Sequence, residues 1–431
     1  MSAQSERFRA NVARDRALAS MREAEDAYVR ALEEKGVTFE QRGVEDERIA
    51  QLRQQLEGAG ALMRNAGASI SYGWLSPACV ECTGTGGSET FSTSFKCHRD
   101  CYFCFNYNLP DYERYVREGC PWERELADAH DKTRGKLAVI GLTGGEPLLN
   151  LDDSVRFLKR ARELFPHAHL RMYTSGDLLT EEGARRLRDA GLCEIRFSVK
   201  QDDTDALHER VLDRMALARR FIPDVVVEMP IVPGTEDEMH ALMTRFDEIG
   251  ITGMNLLEFC FPFHSWVEFE KRGFKLKNPP FPVMYDYGYS GGLAVAGSEE
   301  LALSLMLDGI RKGYGFGMHY CSLENKHRSE MRQRNGFVGT GNPCFTFDEG
   351  DFFIKCARVF GEDRARARQA LEQAGCTTLL EDDDEDSTSF PRAYAQVAGG
   401  VGAEVWDAFF VAERDDEGGW LREVGVFPTS A

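Results

Sequence analysis

The 431-residue chain lacks an apolar run of 18 residues and has no excess of basic charge. Residues 1–30 are charged and follow a helical pattern, so neither a signal peptide nor a membrane-spanning helix is predicted. The formal net charge of −19 argues against broad nucleic-acid binding, which requires a basic surface. We therefore expect a cytoplasmic globular protein without membrane or nucleic-acid partners.

Cysteine is the residue type that is abundant, with twelve in the chain. Without a secretory signal, such cysteines are typical of metal ligands and buried thiols in a reducing compartment. Cys97, Cys101 and Cys104 fall within eight residues, and such tight spacing in a loop suits an iron–sulfur cluster. Three thiolates leave one iron open to an outside ligand. Zinc would need a fourth ligand, which the adjacent His98 is badly placed to supply.

A second motif follows about forty residues later. The apolar run 137–143 ends in Gly144-Gly145-Glu146-Pro147, which is typical of a buried parallel strand that leads into a helix. Glycine allows the backbone to approach a ligand closely, and the Glu146 carboxylate can accept hydrogen bonds from an ammonium group.

Strand and helix patterns then alternate along the chain. Helices are predicted at 151–165, 180–190, 203–221 and 235–249, and strands at 89–95, 137–143, 170–174, 194–199, 225–232 and 253–260. This order predicts an α/β fold in which six parallel strands with crossover helices roll into a partial barrel. The motifs fall at the carboxyl ends of the strands, where such barrels carry their chemistry.

Together these motifs resemble the radical S-adenosylmethionine (SAM) superfamily, most closely the branch of pyruvate formate-lyase activating enzyme, over roughly residues 89–270. The resemblance implies a partial (β/α)6 barrel of radical SAM type. It also implies that Cys97, Cys101 and Cys104 hold a [4Fe-4S] cluster whose open iron is chelated by SAM.

The resemblance further implies a set of SAM-binding residues, which are Gly144, Gly145, Glu146, Ser175, Ser198, Lys200 and His264. Glu146 would contact the SAM amino group and Lys200 its carboxylate. Ser175 stands where the family usually has Asn, and Ser198 where it has an acidic residue. The alternatives are a turn role for Ser175, a surface ion pair for Lys200 and a core position for His264.

The rest of the chain divides into segments in this interpretation. Residues 1–70 form an N-terminal helical arm for packing, oligomerisation or docking, and 71–270 form the barrel. Residues 271–376 form a cysteine-containing α+β extension, and 377–431 an acidic loop with a small β appendage that ends in a hairpin.

A second group of cysteines predicts an auxiliary site for an iron–sulfur cluster or zinc. Its candidates are Cys79, Cys82, Cys321, Cys344 and Cys356. One version closes a four-thiolate site with the first three and either Cys344 or Cys356. The alternatives are that these thiols are buried small hydrophobes, or that His319 is a ligand.

By resemblance, the reaction is reductive cleavage of SAM by the reduced cluster, followed by hydrogen abstraction by the 5′-deoxyadenosyl radical. The expected substrate is a protein or peptide, for glycyl radical activation or another side-chain modification, and the expected reductant is a flavodoxin or ferredoxin. One alternative is a small molecule or cofactor precursor held near an auxiliary cluster, and another is a non-catalytic metal-binding scaffold. The sequence has no Asp-x-His-x-x-Gly pattern, which argues against a cobalamin-dependent methylase.

Overall fold

A computed structural model describes residues 11–280, 292–336, 341–414 and 418–429. The chain forms two compact units. The parallel-sheet unit comprises Thr38–Pro280 and Gly288–Lys326, and the antiparallel-sheet unit comprises Met1–Val37, Phe281–Tyr287 and His327–Ala431. The first ten residues of the predicted arm and the tip of the predicted C-terminal hairpin lie outside the described residues. None of the described helices has both the length and the apolar character needed to cross a bilayer.

Helices and strands are numbered along the chain. Helix α1 (Val12–Glu33) lies in the antiparallel-sheet unit. The helices of the parallel-sheet unit are α2 (Asp46–Gly58), α3 (Pro77–Glu81), α4 (Tyr112–Glu118), α5 (Trp122–Thr133), α6 (Leu151–Leu164), α7 (Glu181–Asp189), α8 (Asp205–Ala218), α9 (Glu236–Ile249), α10 (Trp266–Lys271) and α11 (Ser298–Lys312). Its strands are β1 (Leu62–Arg64), β2 (Ser69–Tyr72), β3 (Ser88–Ser92), β4 (Val139–Thr143), β5 (His169–Thr174), β6 (Glu194–Phe197), β7 (Asp224–Ile231), β8 (Gly253–Glu258), β9 (Cys260–Phe261), β10 (Leu293–Ala294) and β11 (Gly317–Cys321).

One open sheet organises this unit, with strand order β1-β2-β11-β8-β7-β6-β5-β4-β3. Strands β3 to β8 and β11 are mutually parallel, which confirms the predicted α/β class with its parallel sheet. Strands β2 and β1 add antiparallel neighbours beyond β11.

The seventh parallel strand corrects the prediction, which ended the sheet at six strands. Strand β11 pairs with β8 over its whole length, with His319 opposite Asn255. Its Met318 and Tyr320 are buried in the same hydrophobic core as the crossover helices, and this burial stabilises the added strand. The short apolar–polar alternation around His319 is too weak a signal to separate a strand from a turn.

The two faces of the parallel sheet have opposite character. Side chains that point towards the helices are apolar, as in β7, where Val225, Val227 and Met229 are fully buried in the core. Side chains on the other face include Glu228 and Asn255, at facing positions of β7 and β8. The face of the sheet opposite the helices is therefore polar around Glu228 and Asn255.

The antiparallel-sheet unit consists of one sheet with helices beside it. Its strands are β12 (Thr346–Phe347), β13 (Ile354–Phe360), β14 (Leu380–Asp382), β15 (Ser387–Phe390), β16 (Trp406–Arg414) and β17 (Gly419–Pro428). The order is β14-β15-β13-β16-β17, and β12 also pairs with β13. Helices α13 (Asp363–Gln373) and α14 (Ala395–Gly400) complete the unit, and α12 (Leu323–Asn335) leads into it from the other unit.

These two units do not coincide with the four predicted segments. The predicted arm is divided: Ala13 and Ala17 of α1 pack into the core of the antiparallel-sheet unit, whereas Leu52 and Leu56 of α2 pack into the core of the parallel-sheet unit. The predicted boundary at 377 falls inside one sheet, because β13 hydrogen-bonds to both β15 and β16. Pairing between distant strands sets these boundaries, and composition does not report it.

Candidate active site

The loop that carries Cys97, Cys101 and Cys104 follows β3 at the carboxyl end of the parallel sheet. Cys97 is exposed and the other two thiols are half-buried. Burial raises the pKa of each of the three, to about 11 for Cys104, and the nearby Lys200 opposes this rise at Cys101. Each of these pKa values also responds to at least one neighbouring thiol or to Lys200, so the three side chains share one electrostatic environment.

Gly144 and Gly145 hold this loop against the end of β4. The Gly145 amide donates to the Ser94 carbonyl at 3.0 Å, and the Glu146 amide donates to the Lys96 carbonyl at 2.8 Å. A Cβ atom on Gly145 would lie 2.1 Å from the Lys96 carbonyl oxygen, and one on Gly144 would lie 2.3 Å from that of Ser94. The close approach that demands glycine here is therefore to the cysteine loop itself.

Two further contacts fix the end of the loop. The Asn106 side-chain amide donates to the Gly144 carbonyl at 2.7 Å. A ring nitrogen of His264 lies 2.7 Å from the Cys104 carbonyl, and its ring packs against Tyr107 with centroids 5.0 Å apart. His264 is half-buried, and its role in the structure is to hold the loop.

Glu146 lies at the centre of a hydrogen-bond network at the ends of β4 and β5. Its Oε1 accepts from the Thr174 hydroxyl at 2.6 Å and from the Leu148 amide at 3.0 Å. Its Oε2 accepts from the Ser175 amide at 2.7 Å and lies 2.6 Å from the Ser175 hydroxyl. The carboxylate is buried and is held in one orientation by these contacts.

The same hydroxyl also links this network to the cysteine loop. Ser175 Oγ lies 2.7 Å from Asp177 Oδ1, and a ring nitrogen of His98 lies 2.9 Å from Asp177 Oδ2. Because a hydroxyl has one proton, Ser175 can donate to Glu146 or to Asp177 but not to both at once. The shared hydroxyl therefore couples the carboxylate after β4 to the carboxylate after β5. Sequence reasoning missed Asp177, although it follows Ser175 closely in the Ser-Gly-Asp turn after β5.

Lys200 lies on the other side of the cysteine loop, just after β6. It is buried, and its ammonium group lies close enough to Cys101 to lower the pKa of that thiol. A cavity of about 300 Å³ opens beside it, lined by His98, Arg99, Asp100, Cys101, Phe103, Lys200, Asp202 and Asp203. Arg99 forms an ion pair with Asp203 across the cavity. Ser198 is half-buried, and its amide donates to the Thr174 carbonyl at 2.9 Å, which joins β6 to β5 beside the Glu146 network.

A buried ionic network lies on the polar face of the parallel sheet, opposite the helices. Arg196 of β6 forms ion pairs with Glu194 and Glu228, and it also donates to the Ser76 hydroxyl at 3.0 Å. Burial would raise the pKa of Glu194, but the charge of Arg196 and hydrogen bonds from His169 and Ser76 outweigh it and hold that pKa below its usual range. No local signal in the sequence marks these residues as neighbours, because they come from four separate segments.

One of the predicted auxiliary cysteines, Cys79, contacts Arg196 of this network, and Cys82 and Cys321 lie near Cys79. Cys79 is on α3, Cys82 follows α3, and Cys321 ends β11. Burial raises the pKa of Cys321 to about 12, opposed by Lys326, and the charges of Cys82 and Cys79 add to the rise. Burial would also raise the pKa of Cys79, but Arg196 and His319 lower it to about 6.

The other two predicted auxiliary cysteines lie in the antiparallel-sheet unit. Cys344 and Cys356 are fully buried, and each lies close enough to the other to shift its pKa. They pack in a hydrophobic core with Ile354, Trp406 and Phe410. The structure thus separates the five candidates into a group of three in one unit and a pair in the other.

A cluster and a single metal ion make different demands on the spacing of thiols. Within the described residues, no three His, Cys, Asp or Glu side chains lie close enough to form a shell around one metal ion. Thiolates on a cluster bind different irons, so their sulfurs stand further apart than around one ion. On the cysteine loop, three thiols in one electrostatic environment, with Lys200 beside them, suit a cluster of this kind.

Comparisons with known proteins identify the family of this chain. A model described as the radical SAM superfamily matches residues 91–246. The curated protein "Putative glycyl-radical enzyme activating enzyme MJ0021" of Methanocaldococcus jannaschii is 31% identical over 313 residues, which cover 69% of this chain and 78% of that protein.

Two solved structures are more distantly similar. Streptococcus suis SuiB bound to SAM gives a TM-score of 0.39 at 12% identity, over 55% of this chain and 51% of that chain. The structure described as native anSMEcpe with bound AdoMet and Cp18Cys peptide gives a TM-score of 0.39 at 14% identity, over 54% of this chain and 63% of that chain. The chain spans less than two thirds of either solved protein.

Proposed function

The chain belongs to the radical SAM superfamily and is an enzyme, and from this premise we propose that it abstracts a hydrogen atom from a protein or peptide substrate. We assign the [4Fe-4S] cluster that the family implies to Cys97, Cys101 and Cys104. When bound, the reduced cluster and SAM supply a 5′-deoxyadenosyl radical, which is the abstracting species. Because the chain is an enzyme, we do not propose the alternative of a non-catalytic metal-binding scaffold.

The residues around the cysteine loop have separate tasks in this proposal. Glu146 and Asp177 provide the negative charge that attracts the ammonium group of SAM, and Ser175 sets the orientation of Glu146. Lys200 provides a cation for the SAM carboxylate, since it is buried beside Cys101. Gly144, Gly145 and His264 act indirectly, because they fix the loop that carries the thiols. Ser198 supports this arrangement through its backbone bond to β5.

One observation favours a macromolecular substrate over a small one. The apolar side chains Phe105, Tyr107 and Phe263 are between 42% and 50% exposed, and all three adjoin the cysteine loop or His264. Exposed aromatic groups at the rim of a site are typical of surfaces that contact another protein. The 31% identity to a relative named as an activating enzyme, which acts on a protein, agrees with this.

The buried polar lining of the sheet favours a second candidate. Arg196, Glu228, Asn255 and His319 are polar groups that could orient a small polar substrate. This alternative keeps the same cysteine loop and the same SAM contacts. It differs only in the size of the molecule that donates the hydrogen atom.

The test separates the reaction from the substrate. Anaerobic protein is reduced with dithionite, or with a flavodoxin or ferredoxin as the proposed reductant, and supplied with SAM. 5′-Deoxyadenosine is then measured for wild type, for Lys200→Met and for Lys312→Met, a lysine at the end of α11. Formation by wild type and Lys312→Met, with a large loss in Lys200→Met, supports the site. Absence of 5′-deoxyadenosine in wild type would overturn it.

The substrate is then identified by isotope transfer. Extract from cells grown in deuterated medium is divided into a protein fraction and a small-molecule filtrate. Each fraction is added with unlabelled SAM, and deuterium in 5′-deoxyadenosine is measured by mass spectrometry. Transfer from the protein fraction alone supports a macromolecular substrate, and its loss after protease treatment of that fraction confirms it. Transfer from the filtrate alone supports the second candidate.

A further inference from the structure

Three thiols outside the cysteine loop lie near one another at the polar face of the parallel sheet. Cys79 and Cys82 are three positions apart at α3, and Cys321 lies at the end of β11. All three lie close enough for the charges of Cys79 and Cys82 to act on Cys321. Neither α3 nor β11 is part of the six-strand pattern that carries the SAM-binding motifs.

The sulfurs of this group receive hydrogen bonds from nitrogen donors. Arg196 Nη2 lies 3.4 Å and Asn255 Nδ2 lies 3.5 Å from Cys79 Sγ, and Asn325 Nδ2 lies 3.3 Å from Cys321 Sγ. Hydrogen bonds to sulfur and neighbouring cations stabilise thiolates at iron–sulfur sites and tune their potentials. Thiols that serve only as small hydrophobes do not need such donors.

Other contacts join the two segments that carry the thiols. The Thr83 hydroxyl, next to Cys82, donates to Asn65 at 3.2 Å. The Asn65 side-chain amide in turn donates to Asn325 at 2.6 Å, and Asn325 is the donor to Cys321. These bonds fix the position of Cys82 relative to Cys321, as a multi-thiolate site requires.

The donor set decides between a cluster and zinc. A structural zinc site is closed by four protein ligands. One candidate for a fourth is His319, which lies close enough to Cys79 to lower its pKa, but its ring nitrogens lie 2.8 Å from the Ser69 hydroxyl and 3.1 Å from the Asn255 side-chain oxygen. Three thiolates without a fourth protein ligand suit a cluster with one open iron, by the same logic as on the cysteine loop.

We propose that Cys79, Cys82 and Cys321 bind a second iron–sulfur cluster on the polar face of the parallel sheet. This site goes beyond the proposed function and does not depend on which substrate is used. It also replaces the four-thiolate version, because Cys344 and Cys356 form their own buried pair in the other unit.

Metal content tests the proposal without reference to activity. Iron, zinc and acid-labile sulfide per chain are measured after anaerobic reconstitution, together with Mössbauer spectra. The proteins are wild type, Cys97→Ala/Cys101→Ala/Cys104→Ala, Cys79→Ala/Cys82→Ala/Cys321→Ala, and the control Cys344→Ala/Cys356→Ala. With two [4Fe-4S] clusters, we expect about eight irons in wild type and control and about four in each triple variant.

Three outcomes would overturn the proposal. The first is about four irons in wild type and none in the Cys97 triple variant. The second is a Cys79 triple variant that keeps all of the wild-type iron while it stays folded. The third is one zinc that is lost with Cys79, Cys82 and Cys321.

A milder variant keeps the test valid if the Cys79 triple variant does not fold. Asn325→Leu removes the donor to Cys321 and leaves every thiol in place. It should shift the reduction midpoint or EPR signal of the second cluster and leave that of the first unchanged. An unchanged second signal would contradict the proposal. Formation of 5′-deoxyadenosine, measured in parallel, reports on the proposed function separately.

Discussion

The cysteines of the two units lie in opposite surroundings. Cys79 on α3 and Cys321 at the end of β11, like Cys101 of the cysteine loop, face charged or amide side chains. Cys344 and Cys356 contact each other and a core of aromatic and aliphatic groups. The same residue type therefore takes two roles, and its neighbours distinguish them better than its exposure does, since thiols of both kinds are buried to some degree.

This difference shows when the spacing of cysteines in the sequence predicts a metal site and when it does not. Where thiols are close in sequence, as on the cysteine loop, spacing alone indicates a metal site. Where they come from distant segments, spacing cannot say which ones meet. Cys321 and Cys344 are nearer in sequence to each other than either is to Cys79, yet the structure groups Cys321 with Cys79.

The largest difference in rate is expected between a variant of the cysteine loop and a variant of the buried pair Cys344 and Cys356. Cys97→Ala removes one of three proposed cluster ligands, and we expect reductive cleavage of SAM to fall by about 10³-fold or more, which corresponds to about 4 kcal/mol. Cys344→Ala should leave the rate within about twofold, since that thiol only packs in a core. The measurement is 5′-deoxyadenosine formed per minute. Equal losses of rate in Cys97→Ala and Cys344→Ala would contradict the assignment of these thiols to different roles.

The second effect concerns the support of the cysteine loop. Gly145→Ala places a methyl group 2.1 Å from the Lys96 carbonyl oxygen, so the loop must shift. We expect iron content to fall and the rate to drop by about 100-fold, because a small displacement of reacting groups is costly. The matched control is Gly399→Ala in α14, where a new Cβ meets no atom within 4 Å. Normal iron and rate in Gly145→Ala would show that the loop is not held this way.

The third effect appears only in stability. Cys344→Ala/Cys356→Ala removes two sulfurs from a packed core, and the free energy of unfolding should fall by about 2 kcal/mol. Thermal and denaturant unfolding measure this loss, and iron analysis should find no change. A loss of iron in this variant would assign these thiols to a metal site and reverse the comparison.

The smallest effect is expected at Ser175. Ser175→Ala removes the hydroxyl that lies between Glu146 and Asp177, but Thr174 and two backbone amides still hold Glu146. We expect KM for SAM to rise by about 3- to 10-fold, the value of one hydrogen bond, with kcat nearly unchanged. A large fall in kcat with an unchanged KM would instead place Ser175 in the chemical step.

Much of the parallel-sheet unit follows from local patterns in the sequence. The six predicted strands occur as β3 to β8, since their apolar runs or alternating patterns are followed by turn signals. The helix predicted at 180–190 occurs as α7, and the Thr180 side chain caps it by accepting from the Gly183 amide at 3.0 Å. The position of the cysteine loop next to Gly144 and Gly145 is a consequence of the parallel pairing of β3 with β4.

The remaining features depend on contacts between distant segments. The link from His98 through Asp177 to Ser175 forms only when the turn after β5 meets the cysteine loop. The place of the seventh strand in the sheet depends on its pairing with β8, which no local pattern reports. The division of the predicted arm depends on Ala13 and Ala17 finding a core that lies more than 300 residues away along the chain. Helix periodicity identifies an apolar face but not its partner.

That last contact has a consequence for synthesis of the protein. The antiparallel-sheet unit combines α1 with strands from the other end of the chain, and the whole parallel-sheet unit lies between them in sequence. On the ribosome, α1 emerges early but cannot bury Ala13 and Ala17 until β13 and β16 have been made. The parallel-sheet unit, by contrast, has every strand available once residue 321 has emerged. During synthesis, the parallel-sheet unit can therefore fold first. The antiparallel-sheet unit can fold only later, when β13 and β16 become available to pack against α1.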